Sequence, residues 1–318
     1  MKVEEGNLKV EYRHQPVMLA EVLRELDPKP GEVVCDCTLG GAGHTVEMAK
    51  LIAPDGLSIG IDQDAMAHQA AAARLKQEVP NAEFLPLKGN FGDLDELLVS
   101  AEVPGVDCFL FDIGVSSPQL DIPERGFSYH EDAPLDMRMD PGKQTPTAQE
   151  VINTYNEADL ARILRIYGDE KFASRIARRI VQTREKRPIQ TTFELVEVIK
   201  AAIPAAARRH GGHPARKTFQ ALRIEVNGEL NALEELLEST KRVLRPGGRL
   251  VIMTYHSLED RLVKNFLRQG DDSDDARIYG ASSASWKLVT RKPITPSAEE
   301  IARNPRARSA KLRIAELL

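Results

Sequence analysis

The stretch "VVCDCTLGGAGHT", from Val33 to Thr45, decides the fold. It joins a short apolar run that ends in an acid, Asp36, to a turn with three glycines and a pattern typical of the start of a helix. Glycine lets a backbone turn tightly and approach a ligand closely because it has no Cβ. This order predicts a ligand site at the carboxyl end of the first strand of a parallel sheet.

Short apolar runs alternate with helical patterns around this stretch, which predicts a doubly wound α/β fold. Strands are expected in "GEVVCDC", "GLSIGIDQD", "AEFLPLKGN", "VDCFLFDIG" and "RPGGRLVIMTYHS". Between the last two lies a segment with only helical patterns. We therefore predict one α/β domain formed by residues 1–136 and 216–318, interrupted by an inserted helical domain at residues 137–215 that contacts the substrate.

The composition is that of an ordinary globular protein: 318 residues, 42% hydrophobic and 29% charged. No apolar run approaches the roughly 18 residues of a membrane span, and the amino-terminal segment has no apolar core of a secretory signal. Three cysteines in a chain of this length do not form a disulfide framework. These features predict a cytoplasmic protein with no membrane partner.

Charge is unevenly distributed although the net charge is only −5. Residues 137–217 hold 16 Lys or Arg against 9 Asp or Glu, and residues 287–313 hold 8 against 2. Two basic blocks on an acidic chain predict a localised surface for a polyanion. Solvated helix faces are the alternative explanation.

The glycine turn only half matches the dinucleotide pattern G-x-G-x-x-G, because Val46 stands where the last glycine belongs. Asp36 precedes the turn and would repel a pyrophosphate, whereas a positively charged ligand would be attracted. Asp62 ends the second strand, where an acid typically binds ribose hydroxyls. S-adenosylmethionine meets these conditions, and a turn required only for packing is the alternative.

Two further residues are expected at the same edge of the sheet. Phe91 follows the third strand and is placed to cover an adenine face. Asp112 ends the fourth strand, at the position that faces the reacting group.

Long, collinear motifs over nearly the whole chain resemble the bacterial family of small-subunit ribosomal RNA methyltransferases that modify N4 of cytosine 1402. They are "HQPVML" at His14, "DCTLGGAGH" at Asp36, "IDQD" at Ile61, "DIGVSSPQLD" at Asp112, "RGFS" at Arg125, "PLDMRMD" at Pro134, "LARILRIYGDE" at Leu160, "TFQALRIEVN" at Thr218, "PGGRLVIMTYHSLEDRLVK" at Pro246 and "NPRARSAKLRIAE" at Asn304.

The resemblance implies an enzyme with a Rossmann-like class I S-adenosylmethionine-dependent domain and an inserted helical domain. It implies a 16S rRNA target in the decoding centre of the small ribosomal subunit. The cofactor contacts that it implies, together with Gly41 of the turn, are Ala42, Gly43, His44, Asp62, Phe91, Asp112 and Gln119. Gln119 rests on the resemblance alone.

The acceptor N4 is a weak nucleophile because its lone pair is delocalised into the cytosine ring, so catalysis requires positioning and a base. This chain lacks the Asn/Asp/Ser-Pro-Pro-aromatic motif of many amino-methyltransferases, which leaves the base open. Asp112 is the first candidate and Asp136 the second, although Asp136 could instead pair with Arg138. His256 could orient the base or be a buried structural histidine, and the same holds for His14. The target cytosine is expected to flip out of its stack, with Phe127 or Tyr129 placed to stack on it.

A long helical pattern runs from Thr218 toward Leu244 and carries a polar stripe formed by Gln220, Arg223 and Asn227. We predict that this stripe faces the RNA; a solvated helix face is the alternative. Further phosphate contacts are predicted at Arg178, Arg179, Arg208, Arg209, Arg306 and Arg308. The two histidines of "HGGH" lack nearby ligands, so no metal is expected.

Two other functions are compatible with parts of the pattern. One is a non-catalytic ribosome assembly factor that binds rRNA, and the other is a nicotinamide-dependent dehydrogenase. A homodimer is possible.

Overall fold

The computed structural model describes residues 16–208, 212–268 and 285–318. Within these ranges one sheet of seven strands has the spatial order β3-β2-β1-β4-β5-β7-β6. The strands are β1 (Val33–Asp36), β2 (Leu57–Asp62), β3 (Glu83–Lys88), β4 (Val106–Asp112), β5 (Leu244–Thr254), β6 (Trp286–Leu288) and β7 (Lys311–Leu317).

The first five strands are parallel, and β7 pairs antiparallel with β5 and with the edge strand β6. All five strands expected from the sequence are confirmed. Strands β6 and β7 were not predicted, because the carboxyl-terminal segment was interpreted only as a basic surface. Pairing with β5 is what orders that segment, and it buries Leu312 and Ile314 of β7.

Helices connect the strands and form the insertion. They are α1 (Leu19–Leu26), α2 (Gly43–Ile52), α3 (Ala65–Glu78), α4 (Leu94–Ser100), α5 (Ser117–Asp121), α6 (Ala148–Thr154), α7 (Glu157–Ile166), α8 (Ala173–Arg184), α9 (Thr192–Ala202), α10 (Ala205–Arg208), α11 (Arg216–Asn227), α12 (Glu229–Val243), α13 (Ser257–Arg268) and α14 (Ala298–Arg303).

The expected single helix from Thr218 toward Leu244 is wrong. Gly228 adopts a left-handed conformation, with φ of 62°, and separates α11 from α12. Glycine tolerates this conformation, so it ends one helix and starts the next. The break lets α11 pack on the insertion while α12 packs on the sheet.

Two kinds of core hold these layers together. The sheet is covered on both faces, for example by Leu233 and Leu236 on one side and by Met48 and Ile52 on the other. A separate core fills the helical insertion and extends from Phe127 to Val226. Helix α11, which we expected to belong to the α/β domain, contributes side chains to this second core. In the described residues no helix has the length and apolar character needed to cross a membrane.

Candidate active site

A cavity opens at the carboxyl ends of β1 to β4, where doubly wound sheets bind their ligands. Its walls come from the glycine turn after β1, the ends of β2 and β4, the loop after β3 and the segment that leads into α5. The predicted cofactor residues that line it are Gly41, Gly43, His44, Asp62, Phe91, Asp112 and Gln119. The structure therefore brings together most of the site that the sequence predicted.

The glycine turn is held in place by backbone contacts with β2. Leu39 donates its N–H to the Ile61 carbonyl oxygen, and Gly40 donates its N–H to the Asp62 carboxylate at 2.9 Å. Ala42 adopts the left-handed conformation and is fully buried, so it shapes the turn without lining the cavity. Helix α2 begins directly after it, and its first two residues, Gly43 and His44, line the cavity.

His44, in the first turn of α2, is buried and connects the turn to the segment before α1. Its Nε2 lies 3.0 Å from the Val17 carbonyl oxygen. A Cβ on Gly43 would lie 2.5 Å from Cγ of Pro16, so this segment packs directly on the turn. The early chain therefore forms part of the cavity wall.

Asp62 has both oxygens engaged by backbone donors. One accepts from Gly40 and the other from Asp64, each at 2.9 Å. Burial raises the pKa of Asp62 to about 6, although the two N–H donors oppose this shift. Its carboxylate is thus preorganised, and its charge depends on pH in the neutral range.

Asp112 and Gln119 lie at the other end of the cavity. Asp112 donates its backbone N–H to Thr38 Oγ1 at 2.8 Å, and its Oδ1 accepts from the Tyr255 hydroxyl at 2.7 Å. Gln119 is buried, and its side-chain oxygen accepts from the Ser116 N–H at 2.9 Å. Among the described residues Oδ2 of Asp112 has no hydrogen-bond partner, which leaves it able to accept a proton from a ligand.

The expectation that Asp36 faces the ligand is wrong. Its side chain is 2% exposed and does not line the cavity. Its oxygens accept hydrogen bonds from the Thr38 N–H and hydroxyl and from the Thr45 hydroxyl. Burial raises the pKa of Asp36, while His44 and these donors oppose the shift. Asp36 therefore holds the turn without facing the ligand, and Asp62 and Asp112 are the two carboxylates that line the cavity.

The other two catalytic candidates also lie outside the cavity lining. Asp136 forms a bidentate salt bridge with Arg138, and both N–O distances are 2.8 Å. Burial opposes ionisation of Asp136, but the Arg138 hydrogen bonds outweigh it and hold its pKa below the usual value. His256 lies behind Tyr255, with Nε2 2.8 Å from Glu259 Oε1. These contacts fit the alternatives given above: Asp136 forms an ion pair with Arg138, and His256 is a structural histidine.

A buried ion network lies beneath Tyr255. Arg223 of α11 pairs with both oxygens of Glu229, at 2.8 and 2.7 Å, and lies 3.9 Å from Glu259. Glu229, His256 and Glu259 have the ligand types of a metal site, with their atoms within 4.8 Å of one another. The Arg223 guanidinium already supplies positive charge to both carboxylates, so the chemistry of this cluster is that of an ion pair.

The predicted RNA stripe on α11 points inward. Gln220 donates to the Tyr167 carbonyl oxygen, and Asn227 binds the Met139 N–H and the Met137 carbonyl oxygen. These amides attach α11 to the end of α7 and to the loop at residues 137–139. Only Arg223 of the three lines the cavity.

The predicted phosphate contacts have different surroundings. Arg178 and Arg179 are exposed on α8, and Arg178 lies 3.5 Å from Glu157. Arg306 lines the cavity and pairs with Asp121, while Arg308 is exposed. Arg208 is exposed at the end of α10, and Arg209, like His14, His210 and the acidic run at 271–275, lies outside the described residues.

Sequence reasoning missed Tyr255, whose hydroxyl contacts Asp112. The signal was present: Tyr255 directly follows β5, the strand beside β4, so both strand ends reach the same edge. It also missed Met139, which lines the cavity and accepts from Gln63. Nothing local in the sequence brings a residue 76 positions away to the end of β2.

The loop that carries Met139 depends on Gly126, which suggests a stability test. Gly126 has φ of 72°, and a Cβ there would overlap the Pro134 carbonyl oxygen and lie 2.8 Å from the Asp136 N. Gly126→Ala is expected to lower the free energy of unfolding by about 3 kcal/mol, through backbone strain and overlap together. Urea unfolding measures this loss.

Gly228→Ala is the matched control because Gly228 has φ of 62° but no atom within 4 Å of the added Cβ. It should cost about 1 kcal/mol from backbone strain alone. Equal losses for the two variants would show that the Gly126 contacts are not responsible.

The sheet order, the antiparallel β7 and the cavity beyond a glycine turn are those of the Rossmann-like class I methyltransferase fold. The model of the MraW methylase family matches residues 11–318. Over 318 aligned residues the chain is 48% identical to "Ribosomal RNA small subunit methyltransferase H" of Paenibacillus sp. (strain JDR-2), covering 96% of this chain and 100% of that one. It is 49% identical to the protein of the same name from Brevibacillus brevis, covering 96% and 98%.

This chain belongs to the MraW methylase family and is a methyltransferase. The family resemblance predicted from the motifs is confirmed.

Proposed function

We propose that this enzyme transfers a methyl group from S-adenosylmethionine to N4 of cytosine 1402 of 16S rRNA, in the cytoplasm. The observation that carries the proposal is the position of Asp112 in the cavity, with Oδ1 bound by Tyr255 and Oδ2 unpaired among the described residues. An exocyclic amine presents N–H donors, and a fixed carboxylate oxygen is a matched acceptor. Both relatives named above are rRNA small subunit methyltransferases by name.

The donor set of the cavity fits S-adenosylmethionine. Asp62 offers a carboxylate to ribose hydroxyls, Phe91 offers an apolar face to adenine, and the turn at Gly41 and Gly43 allows close backbone approach. Among the described residues the cavity lining holds two carboxylates, Asp62 and Asp112, and two arginines, Arg223 and Arg306. Each arginine is paired with a carboxylate outside the lining, Glu229 or Asp121, so the two lining carboxylates favour a ligand with positive charge. When bound, S-adenosylmethionine supplies a methyl group on a sulfonium and leaves as a neutral thioether.

The chain's own residues then have three tasks. The walls of the cavity would hold the acceptor amine against the bound cofactor, so that the two reactants meet in a fixed orientation. Asp112 accepts one amine N–H, so that lone-pair density builds on nitrogen. As the N–C bond formed and the S–C bond of the sulfonium broke, with its electron pair going to sulfur, the amine N–H proton would pass to Oδ2 of Asp112 and then to solvent.

RNA binding is assigned to the basic residues around the cavity and on the insertion. Arg306 lines the cavity, Arg308 is exposed two residues further along the chain, and Arg178 and Arg179 lie on the exposed face of α8. Contacts of this kind with phosphates position an RNA without reading its sequence. Arg223 is assigned to the cavity wall, where the flipped base would enter.

The direct test uses labelled S-adenosylmethionine and small ribosomal subunits from a strain that lacks the enzyme. We expect label in a single cytosine, located at N4 by mass spectrometry of the digested RNA. Absence of label in subunits and in naked 16S rRNA, with cofactor binding measured in the same preparation, would overturn the proposal.

Cofactor affinity is expected to rise about tenfold between pH 5 and pH 7, because ribose hydroxyls donate to the ionised form of Asp62, whose pKa is about 6. Calorimetry across this range measures the change, and Asp62→Asn should abolish it.

The folding stability of the unliganded protein should change with pH in the opposite direction. Its Asp62 pKa lies above the unfolded value of 3.8, so the stability from the protonated form is present below 3.8 and lost as pH rises through 6. An affinity that is flat with pH would contradict this role.

A further inference from the structure

The Tyr255 hydroxyl is the side-chain group that holds Asp112. Tyr255 follows β5 directly, and Asp112 pairs with Met253 in the neighbouring strand, so the two side chains emerge side by side. The hydroxyl donates to Asp112 Oδ1 at 2.7 Å and lies 3.3 Å from the Met253 sulfur. Both Tyr255 and Asp112 line the cavity.

The position of the Tyr255 ring is restricted by its contact with Gly114. A Cβ on Gly114 would lie 3.0 Å from Cδ2 and 3.1 Å from Cε2 of the ring. The absence of a side chain at Gly114 therefore leaves the space that the ring occupies. This close contact restricts where the hydroxyl can point.

The backbone beneath the ring is also fixed. Glu259 is 1% exposed, and its Oε2 accepts from the backbone N–H groups of Tyr255, at 2.8 Å, and His256, at 3.1 Å. Its other oxygen lies beside His256 Nε2 and the Arg223 guanidinium. The backbone of Tyr255 is therefore bound by the same ion network that contains Arg223 of α11.

The hydroxyl acts only as a donor. Burial raises the pKa of Tyr255 well above its usual value, and the neighbouring Asp112 charge raises it further. The phenol therefore remains protonated at working pH, and its proton lies on the Asp112 side. One carboxylate oxygen is permanently occupied, which leaves the other for a ligand.

We propose that Tyr255 is a positioning residue that fixes the Asp112 carboxylate, so that Oδ2 is presented to the acceptor amine. This inference rests on the proposed function in one respect, the role of Asp112 as the acceptor of the amine proton. It adds that the orientation of Asp112 is set by a neighbouring strand rather than by its own loop.

Tyr255→Phe removes only the hydroxyl. We expect kcat to fall about 10- to 100-fold, with the KM for RNA and the calorimetric Kd for cofactor within about threefold of wild type. In crystals of the variant, the Asp112 side chain is expected to leave its single rotamer. In an Asp112→Asn background the same substitution should change kcat less than twofold, because the group that it positions is gone.

Tyr155→Phe is the matched control. The Tyr155 hydroxyl also donates to a carboxylate, Glu225 Oε1 at 2.9 Å, but it lies outside the cavity. Its kcat should equal that of wild type. Gly114→Ala is the second variant, since it keeps the hydroxyl but crowds the ring; it should also lower kcat while the protein still binds cofactor.

The outcomes separate the inference from the proposed function. Full activity of Asp112→Asn would show that Asp112 is not the base, and it would overturn that part of the proposed function. Loss of activity in Asp112→Asn with an unchanged kcat in Tyr255→Phe would overturn only the inference. A tenfold weaker cofactor Kd in Tyr255→Phe with unchanged kcat would also overturn it, because Tyr255 would then be a cofactor contact.

Discussion

Asp112→Asn is expected to lower kcat for RNA methylation by about 10²- to 10⁴-fold, the usual contribution of a positioned general base. The amide keeps the size of the side chain and retains an oxygen for the Tyr255 hydroxyl, so the surroundings of Asp112 should persist. It cannot take the amine proton. Single-turnover methylation of small subunits, with enzyme in excess, isolates this step from product release.

Asp136→Asn tests the competing candidate in the same assay. Asp136 is paired with Arg138 and lies outside the cavity lining, so kcat should stay within about threefold of wild type. A large loss with Asp136→Asn and a small one with Asp112→Asn would reverse the assignment. Cofactor affinity should be measured for both variants, because a loss of binding would mimic a loss of chemistry.

Arg223→Met is expected to lower the free energy of unfolding by about 3–5 kcal/mol. The guanidinium is buried between Glu229 and Glu259, whose side chains are 8% and 2% exposed. Removing it leaves two carboxylates in a poorly solvated site without their main counter-charge, and burial then penalises their ionised forms. Urea unfolding monitored by circular dichroism gives the loss.

The exposed pair of Arg178 with Glu157 provides the control. Its side chains are 67% and 43% exposed, so Arg178→Met should cost at most about 1 kcal/mol. Combining Arg223→Met with Glu229→Gln should recover part of the loss, because one unpaired charge is removed. A loss below about 1 kcal/mol for Arg223→Met alone would show that water reaches the network.

Much of the site could be predicted from sequence because it lies at the ends of strands. Alternating apolar and polar patterns locate a strand locally, and parallel pairing then brings its last residue to a common edge. This reasoning correctly placed Asp62, Phe91 and Asp112 around one cavity. It also applied to Tyr255, which lies in the predicted fifth strand, but that residue was not considered as part of the site.

The site could not be predicted from sequence where a polar side chain had several possible hydrogen-bond partners. Asp36 precedes the glycine turn as predicted, yet Thr38 and Thr45 take its oxygens and turn it away from the cavity. Asn227 lies on the expected helix face, but that face meets the loop at Met139. A helical period says which residues share a face, and it says nothing about what the face packs against.

The sequence by itself determined the α/β fold, the glycine turn, the acids at the strand ends and the family. These features depend on local patterns and on residue types that each position requires. Only the tertiary structure decided which acid faces the ligand, which arginine is buried and which tyrosine holds Asp112. Those outcomes depend on hydrogen bonds between residues far apart in the chain, such as the 143 positions between Asp112 and Tyr255, and such partners exist only once the sheet has formed.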